Sequence, residues 1–128
     1  MLSDLGGTQI FGKGEKMLSD IKEYLEITDD AFDQQLLRIV PGIVATLIDL
    51  GVEELKETLP IGESTPWPSM SIEDVVYETR YKQLIYSMCK REFDPPANDT
   101  LRRAQSDRIE EQIFRLGLTI GRMEDAME

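Results

Sequence analysis

Gly7-Thr8-Gln9-Ile10-Phe11-Gly12-Lys13-Gly14 has the glycine spacing and the lysine of a loop that cradles nucleotide phosphates. It fails at the next position. The loop needs Ser or Thr after the lysine to reach magnesium, and Gly14 stands there, with no apolar parallel strand before it. Asp29-Asp30-Asp33 and Glu53-Glu54-Glu57 put carboxylates together. They lack the alternating ligands and central glycine of a calcium loop, and read as helix-start charge and solvated faces. The sequence has no histidine, so the single cysteine, Cys89, has no usual base and zinc has no imidazole ligand. Its place on an apolar helical seam reads as core packing. These residues imply no catalytic, cofactor or metal site.

The chain has 128 residues, 41% hydrophobic and 30% charged, which suits one modest hydrophobic core. No apolar run approaches the roughly 20 residues that span a bilayer, and no basic segment followed by an apolar core marks a secretory leader. The expectation is a soluble protein made in the cytosol, with no membrane contact. With 14 basic against 25 acidic residues the net charge is −11, so the field of the whole molecule repels phosphate backbones. That also argues against Tyr77, Tyr81 and Tyr86 as a platform for stacking bases.

The pattern of apolar residues predicts an all-α fold: a compact helical bundle with a long helix, a proline joint and a C-terminal helix. Residues 1–16 hold four glycines and read as a flexible arm, and residues 17–128 as a single helical domain. Met1-Leu2-Ser3-Asp4 recurs as Met17-Leu18-Ser19-Asp20, too short a match to establish a repeat. Leu18, Ile21 and Leu25 follow helical spacing, with Ser19 or Asp20 as cap. Thr28-Asp29-Asp30 then opens a helix carrying Phe32, Leu36, Ile39, Val40, Ile43, Leu47 and Leu50, with a kink or break expected at Pro41-Gly42. Gly51 suits a left-handed stop, and Val52 to Leu59 adds a short helix.

Pro60 to Ser69 reads as a loop in which prolines on both sides restrict Trp67. The stiffened ring suits an anchor, either into the chain's own core or into a neighbour. Ser71-Ile72-Glu73-Asp74 resembles a capping box and opens a helix over 72–92. Ile72, Val75, Val76 and Thr79 form an early stripe, and Tyr77, Tyr81, Leu84, Ile85, Met88 and Cys89 a seam along the rest. Asp94-Pro95-Pro96 ends that helix. Asn98, Asp99 or Thr100 caps a last one bearing Leu101, Ile109, Ile113, Phe114, Leu116 and Ile120, which should fray around Gly117 and Gly121. Arg80, Lys82, Lys90 and Arg91 on one side of the joint, and Arg102, Arg103 and Arg108 on the other, are either a solvated face or a basic surface that meets an acidic surface of an identical neighbour.

Trp67-Pro68, then Ile72-Glu73-Asp74-Val75 opening a tyrosine-bearing helix, then Phe93-Asp94-Pro95-Pro96 and Asn98, lead into a helix with Glu110-Glu111 and Arg115-Leu116. This order resembles the head-to-tail connector, or adaptor, proteins of long-tailed bacteriophages. Ile21-Lys22-Glu23-Tyr24-Leu25 followed by Asp29-Asp30 is similar to the start of that class. The glycine-rich arm and Pro41-Gly42 depart from it. The resemblance implies a structural virion protein and no reaction: one subunit of a ring, usually a dodecamer, between the capsid portal and the stopper or tail-completion protein. DNA would pass through without specific binding. On this reading the interface candidates are Trp67, Tyr77, Tyr81, Arg91, Phe93, Pro95, Pro96, Arg102 and Arg103. The alternatives are a non-viral helical adaptor that binds one protein partner through the Trp67 loop, and a small enzyme with an unconventional carboxylate site.

Overall fold

The structure, a computed structural model, describes residues 15–127. Four α-helices follow in order: α1 (Met17–Leu25), α2 (Asp33–Leu50), α3 (Val75–Phe93) and α4 (Asp99–Met127). Two 3-10 helices, Glu53–Thr58 and Ile72–Asp74, lie between α2 and α3. The described residues form no strand, only an isolated antiparallel bridge between Lys16 and Pro66, so the fold is the expected all-α bundle. The phosphate-loop-like run at Gly7 to Gly14 and the first copy of the Met-Leu-Ser-Asp repeat lie outside the described residues.

The central helix is α3, which packs against α1, α2 and α4. Tyr77, Tyr81, Leu84, Ile85, Met88 and Cys89 are buried along it as the spacing predicted, against Ile21 of α1, Val40, Val44 and Leu47 of α2, and Ile109 and Leu116 of α4. Each such side chain contributes about 1.5–3 kcal/mol when fully buried. The earlier stripe does not join them. Ile72, Val75, Val76 and Thr79 stay exposed: Ile72 lies in the 3-10 turn ahead of α3, and Val75, Val76 and Thr79 fall outside the face on which Tyr77, Tyr81 and Leu84 stand. The capping box also fails to form. The Ser71 hydroxyl donates to the Asp74 carboxylate at 3.1 Å, and the backbone winds as a 3-10 turn before α3 begins at Val75.

At Pro41-Gly42, where a kink or break is expected, the helix is not broken: α2 runs from Asp33 to Leu50 with Pro41 inside it. Proline in a helix interior costs about 3 kcal/mol through a lost donor and a clash. Val40, Ile43 and Val44 beside it are all buried, and together they outweigh that cost. The start of α2 is also later than the acidic run implied. Asp29 accepts the Ala31 amide at 3.0 Å in a turn ahead of the helix, and Phe32, expected in the core, is 42% exposed. Lys22 of α1 reaches Asp30 at 3.1 Å and Asp33 at 2.8 Å, so these carboxylates also tie α1 to α2.

Neither Ser19 nor Asp20 caps α1. The helix is instead launched from a backbone tether. The Met17 amide donates to the Thr65 carbonyl at 3.0 Å, and the Trp67 amide donates to Glu15 at 3.1 Å, so Glu15 and Lys16 belong with the loop and not with a free arm. At the other end of the chain, α4 does not fray at Gly117 or Gly121 but continues to Met127. Buried Leu116 and Thr119, with Ile120 and Met123 against the core, hold that stretch.

Two glycines respond to a side chain in opposite ways. Gly51 ends α2 at φ 120°, and a Cβ there would lie 3.3 Å from Ile120 Cδ1. Gly117 sits inside a helix and a Cβ there would meet nothing within 4 Å. Gly51→Ala should therefore destabilise by about 1–2 kcal/mol, while Gly117→Ala should stabilise by about 0.5–1 kcal/mol. Urea denaturation of both variants checks the signs.

Candidate protein interface at the proline corner

Three of the interface candidates lie inside the chain. Trp67 is 3% exposed, and its indole N–H donates to Asp20 Oδ2 at 2.7 Å. The Lys82 ammonium sits 4.6 Å from the ring centroid, and Tyr86 meets the ring edge-on at 6.2 Å. Tyr77 donates its hydroxyl to the Glu54 carboxylate and stands edge-on to Tyr81 at 5.4 Å. Burial is the main reason the Tyr77 and Tyr81 phenols ionise far above the usual range. Trp67, Tyr77 and Tyr81 thus lack the exposure a direct contact requires. Their large rings are worth more against the core than in water.

Buried charge in this region is paired at Glu78 but not at Arg80, whose Nε has no hydrogen-bond partner among the described residues. Glu78 meets Lys82 at 3.1 Å, and the ammonium is shared with the Trp67 face. The Tyr81 hydroxyl is fully buried with no hydrogen-bond partner among the described residues. Cys89 is also fully buried, and burial, helped by Glu92, pushes its thiol up to about 12. Among the described residues no group of three or more Cys, Asp or Glu could hold a metal ion.

The remaining candidates define the corner between α3 and α4. Lys90 and Asp94 pair at 3.0 Å across the last turn of α3, and the Asp94 amide donates to the Lys90 carbonyl at 2.8 Å. Phe93 is half-buried and packs edge-on against Phe32 at 5.3 Å. After Pro95 and Pro96, Asn98 takes the capping role: its Oδ1 accepts the Leu101 amide at 2.8 Å. Arg102 then reaches back, donating from Nε to the Pro96 carbonyl at 2.9 Å and pairing with Asp99 at 3.3 Å. Two prolines restrict the backbone and a guanidinium ties its carbonyl to the next helix, so the angle between α3 and α4 is held from both sides.

The corner frames a cavity of about 250 Å³ lined by Tyr24, Ser87, Lys90, Pro96, Leu101 and Arg108, among others. Its walls mix apolar surface with two cations, a combination suited to an inserted side chain bearing a carboxylate. Arg103 is exposed on the same end of α4, whereas Arg91 lines a separate cleft with Arg38 and Met88 between α2 and α3. The basic residues flanking the joint are therefore divided between two surfaces. Tyr24, Ser87 and Leu101 were not singled out as site residues. Tyr24 stacks on Tyr86 with centroids 5.0 Å apart, a tertiary pairing that no spacing within one helix reveals.

The family model described as phage connector protein matches residues 17–122, and the chain belongs to that family. Its role is that of a phage structural connector, a component of the virion that meets other head or tail proteins. No curated protein and no solved structure matches the chain. Among the described residues no helix is long and apolar enough to cross a membrane.

Two outcomes follow from the buried groups. Asp20→Ala strips the buried Trp67 indole of its acceptor and should cost about 1–3 kcal/mol in chemical denaturation. The folded-state Cys89 thiol ionises above its ordinary 9.0, so its contribution to stability is complete below pH 9 and is lost as pH rises through about 12. Denaturation midpoints should accordingly fall over that window, and Cys89→Ala should flatten the fall. In the native protein at pH 8 a maleimide should leave Cys89 unmodified, and it should label the thiol after unfolding.

Proposed function

We propose that this connector is one subunit of a ring, a dodecamer, that docks under the capsid portal and offers a platform to the stopper or tail-completion protein. Residues 17–128 form its helical domain, and Glu15 and Lys16, tied to the Trp67 loop, join it to an arm over residues 1–14. The observation that carries the reading, beyond family membership, is the braced corner. A closed ring needs every copy to present its two contact surfaces at the same angle, and Pro95, Pro96, Asn98 and Arg102 hold that angle. The net charge of −11 fits a passage for DNA, because a wall that neutralises few phosphates lets the duplex slide. Phe93, Pro95, Pro96, Arg102 and Arg103 belong to the contact between copies, and Arg91 to a second surface. The alternative of an adaptor that binds through the Trp67 loop is poorly supported, since that ring is already engaged by Asp20, Lys82 and Tyr86.

Pro95→Gly with Pro96→Gly should leave soluble yield and helical circular dichroism near those of the parent chain, while incorporation into virions falls severalfold. Unchanged incorporation would remove the corner from the mechanism. A virion reconstruction that places the chain away from the portal vertex, or a purified portal that never recruits it, would overturn the connector ring itself.

A further inference from the structure

The charges of α4 run against its own dipole. A helix carries partial positive charge at its N-terminal end and partial negative charge at its C-terminal end, so carboxylates belong early and cations late. Asp99 obeys this, but Arg102 and Arg103 follow it directly, Arg108 stands in the third turn, and the last turn holds no basic residue while Glu124 and Asp125 are exposed there. Arg108, on the wall of the corner cavity, has no ion-pair partner among the described residues, nor have Glu124 and Asp125. Both ends of the helix are thus left with charges that a single chain does not compensate.

Resting on the ring reading above, we propose that the corner cavity of one copy receives the acidic end of α4 from the next copy. The chain cannot satisfy itself. From Ala104, on the cavity wall, to Glu124 is twenty residues along one helix, about 30 Å. A second copy supplies carboxylates to Lys90 and Arg108 and brings the negative end of its α4 dipole toward the positive end of the first. Arg108 then faces the charge it lacks, Lys90 gains a second carboxylate beside Asp94, and the two helix dipoles align head to tail. The contact joins two different surfaces of the same protein, so it propagates around a ring. Exposed ion pairs contribute little alone, and the role of these pairs is to set register and orientation.

A zero-length carbodiimide reagent tests this by joining the Lys90 amine to a carboxylate that touches it. Because Lys90 and Glu124 lie at opposite ends of the bundle, a Lys90–Glu124 or Lys90–Asp125 link forms only between copies, which mixing isotope-labelled with unlabelled protein verifies. The reaction is run on the concentrated purified protein and on virions. The linked peptide is expected in at least one preparation. Arg108→Glu should lower its yield roughly tenfold, Arg108→Lys should keep it, and Arg108→Glu combined with Glu124→Lys and Asp125→Lys should restore association, read by sedimentation. Absence of the link from both preparations, or an equal yield in Arg108→Glu, overturns the contact. If virions hold the chain in a ring without the link, the connector reading stands and this contact falls. If virions lack the chain while the purified protein gives the link, the contact stands and the connector reading falls.

Discussion

Trp67 is where three parts of the chain are tied together. Its backbone amide donates to Glu15, its indole N–H to Asp20, and its ring takes the Lys82 ammonium on its face. Elsewhere the segment that carries it is held by Ile61 and Met70 against the core and by a turn in which Gly62 and Thr65 bond each other. Docking a large ring between two prolines adds apolar burial while little backbone freedom remains to be lost. Glu15 lies just ahead of α1, Asp20 within it and Lys82 near the middle of α3, so this residue helps to fix how α1 lies on the bundle, together with the Lys22–Asp33 pair.

That dependence reaches the corner cavity. Trp67 meets Tyr86 edge-on, Tyr86 stacks on Tyr24, and Tyr24 forms a wall of the cavity. The wall of the corner cavity is thus braced from inside by a buried residue. Such an arrangement suits an interface that must be the same in every copy, since a wall ring supported only by solvent would sample several rotamers and lose entropy on each contact. The opposite wall is braced differently. Leu101 and Arg108 stand on the first turns of α4, whose start is set by the Asn98 cap and the Arg102 bond to Pro96. One wall depends on aromatic packing and the other on backbone restriction.

What was legible in the amino-acid order follows from how local each feature is. The seam from Tyr77 to Cys89, the stop at Asp94-Pro95-Pro96 and the cap at Asn98 are encoded within one or two turns, and each is found where the spacing put it. The order of motifs around Trp67 and the proline corner carried the family. Features set by tertiary neighbours were not legible. Pro41 stays inside α2 because the residues around it are buried. Asp20 reads locally as a helix cap, yet it serves an indole 47 positions away. Ile72, Val75 and Val76 have helical spacing but lie on the wrong side of Tyr77. Of the named interface candidates only Pro96 lines the corner cavity, and Tyr24 enters its wall only through its stacking on Tyr86.

Charge sets two opposed demands on copies of this chain. At a net −11, identical copies repel, and that repulsion acts over the whole molecule. At physiological ionic strength the screening length is about 8 Å, shorter than the width of the bundle, so most of the repulsion between distant carboxylates is lost. A carboxylate seated in the proposed cavity lies within bonding distance of Lys90 and Arg108 and is partly shielded from solvent, so salt weakens it less. Lowering the salt therefore strengthens the repulsion more than the corner pairing, and raising it well above the physiological range erodes the pairing after the repulsion has gone. On the proposed ring reading, copies of this acidic chain associate best between those limits. Were that ring to line a passage for DNA, the same division would keep the corner cations in contacts between subunits, neutralised before a phosphate reaches them.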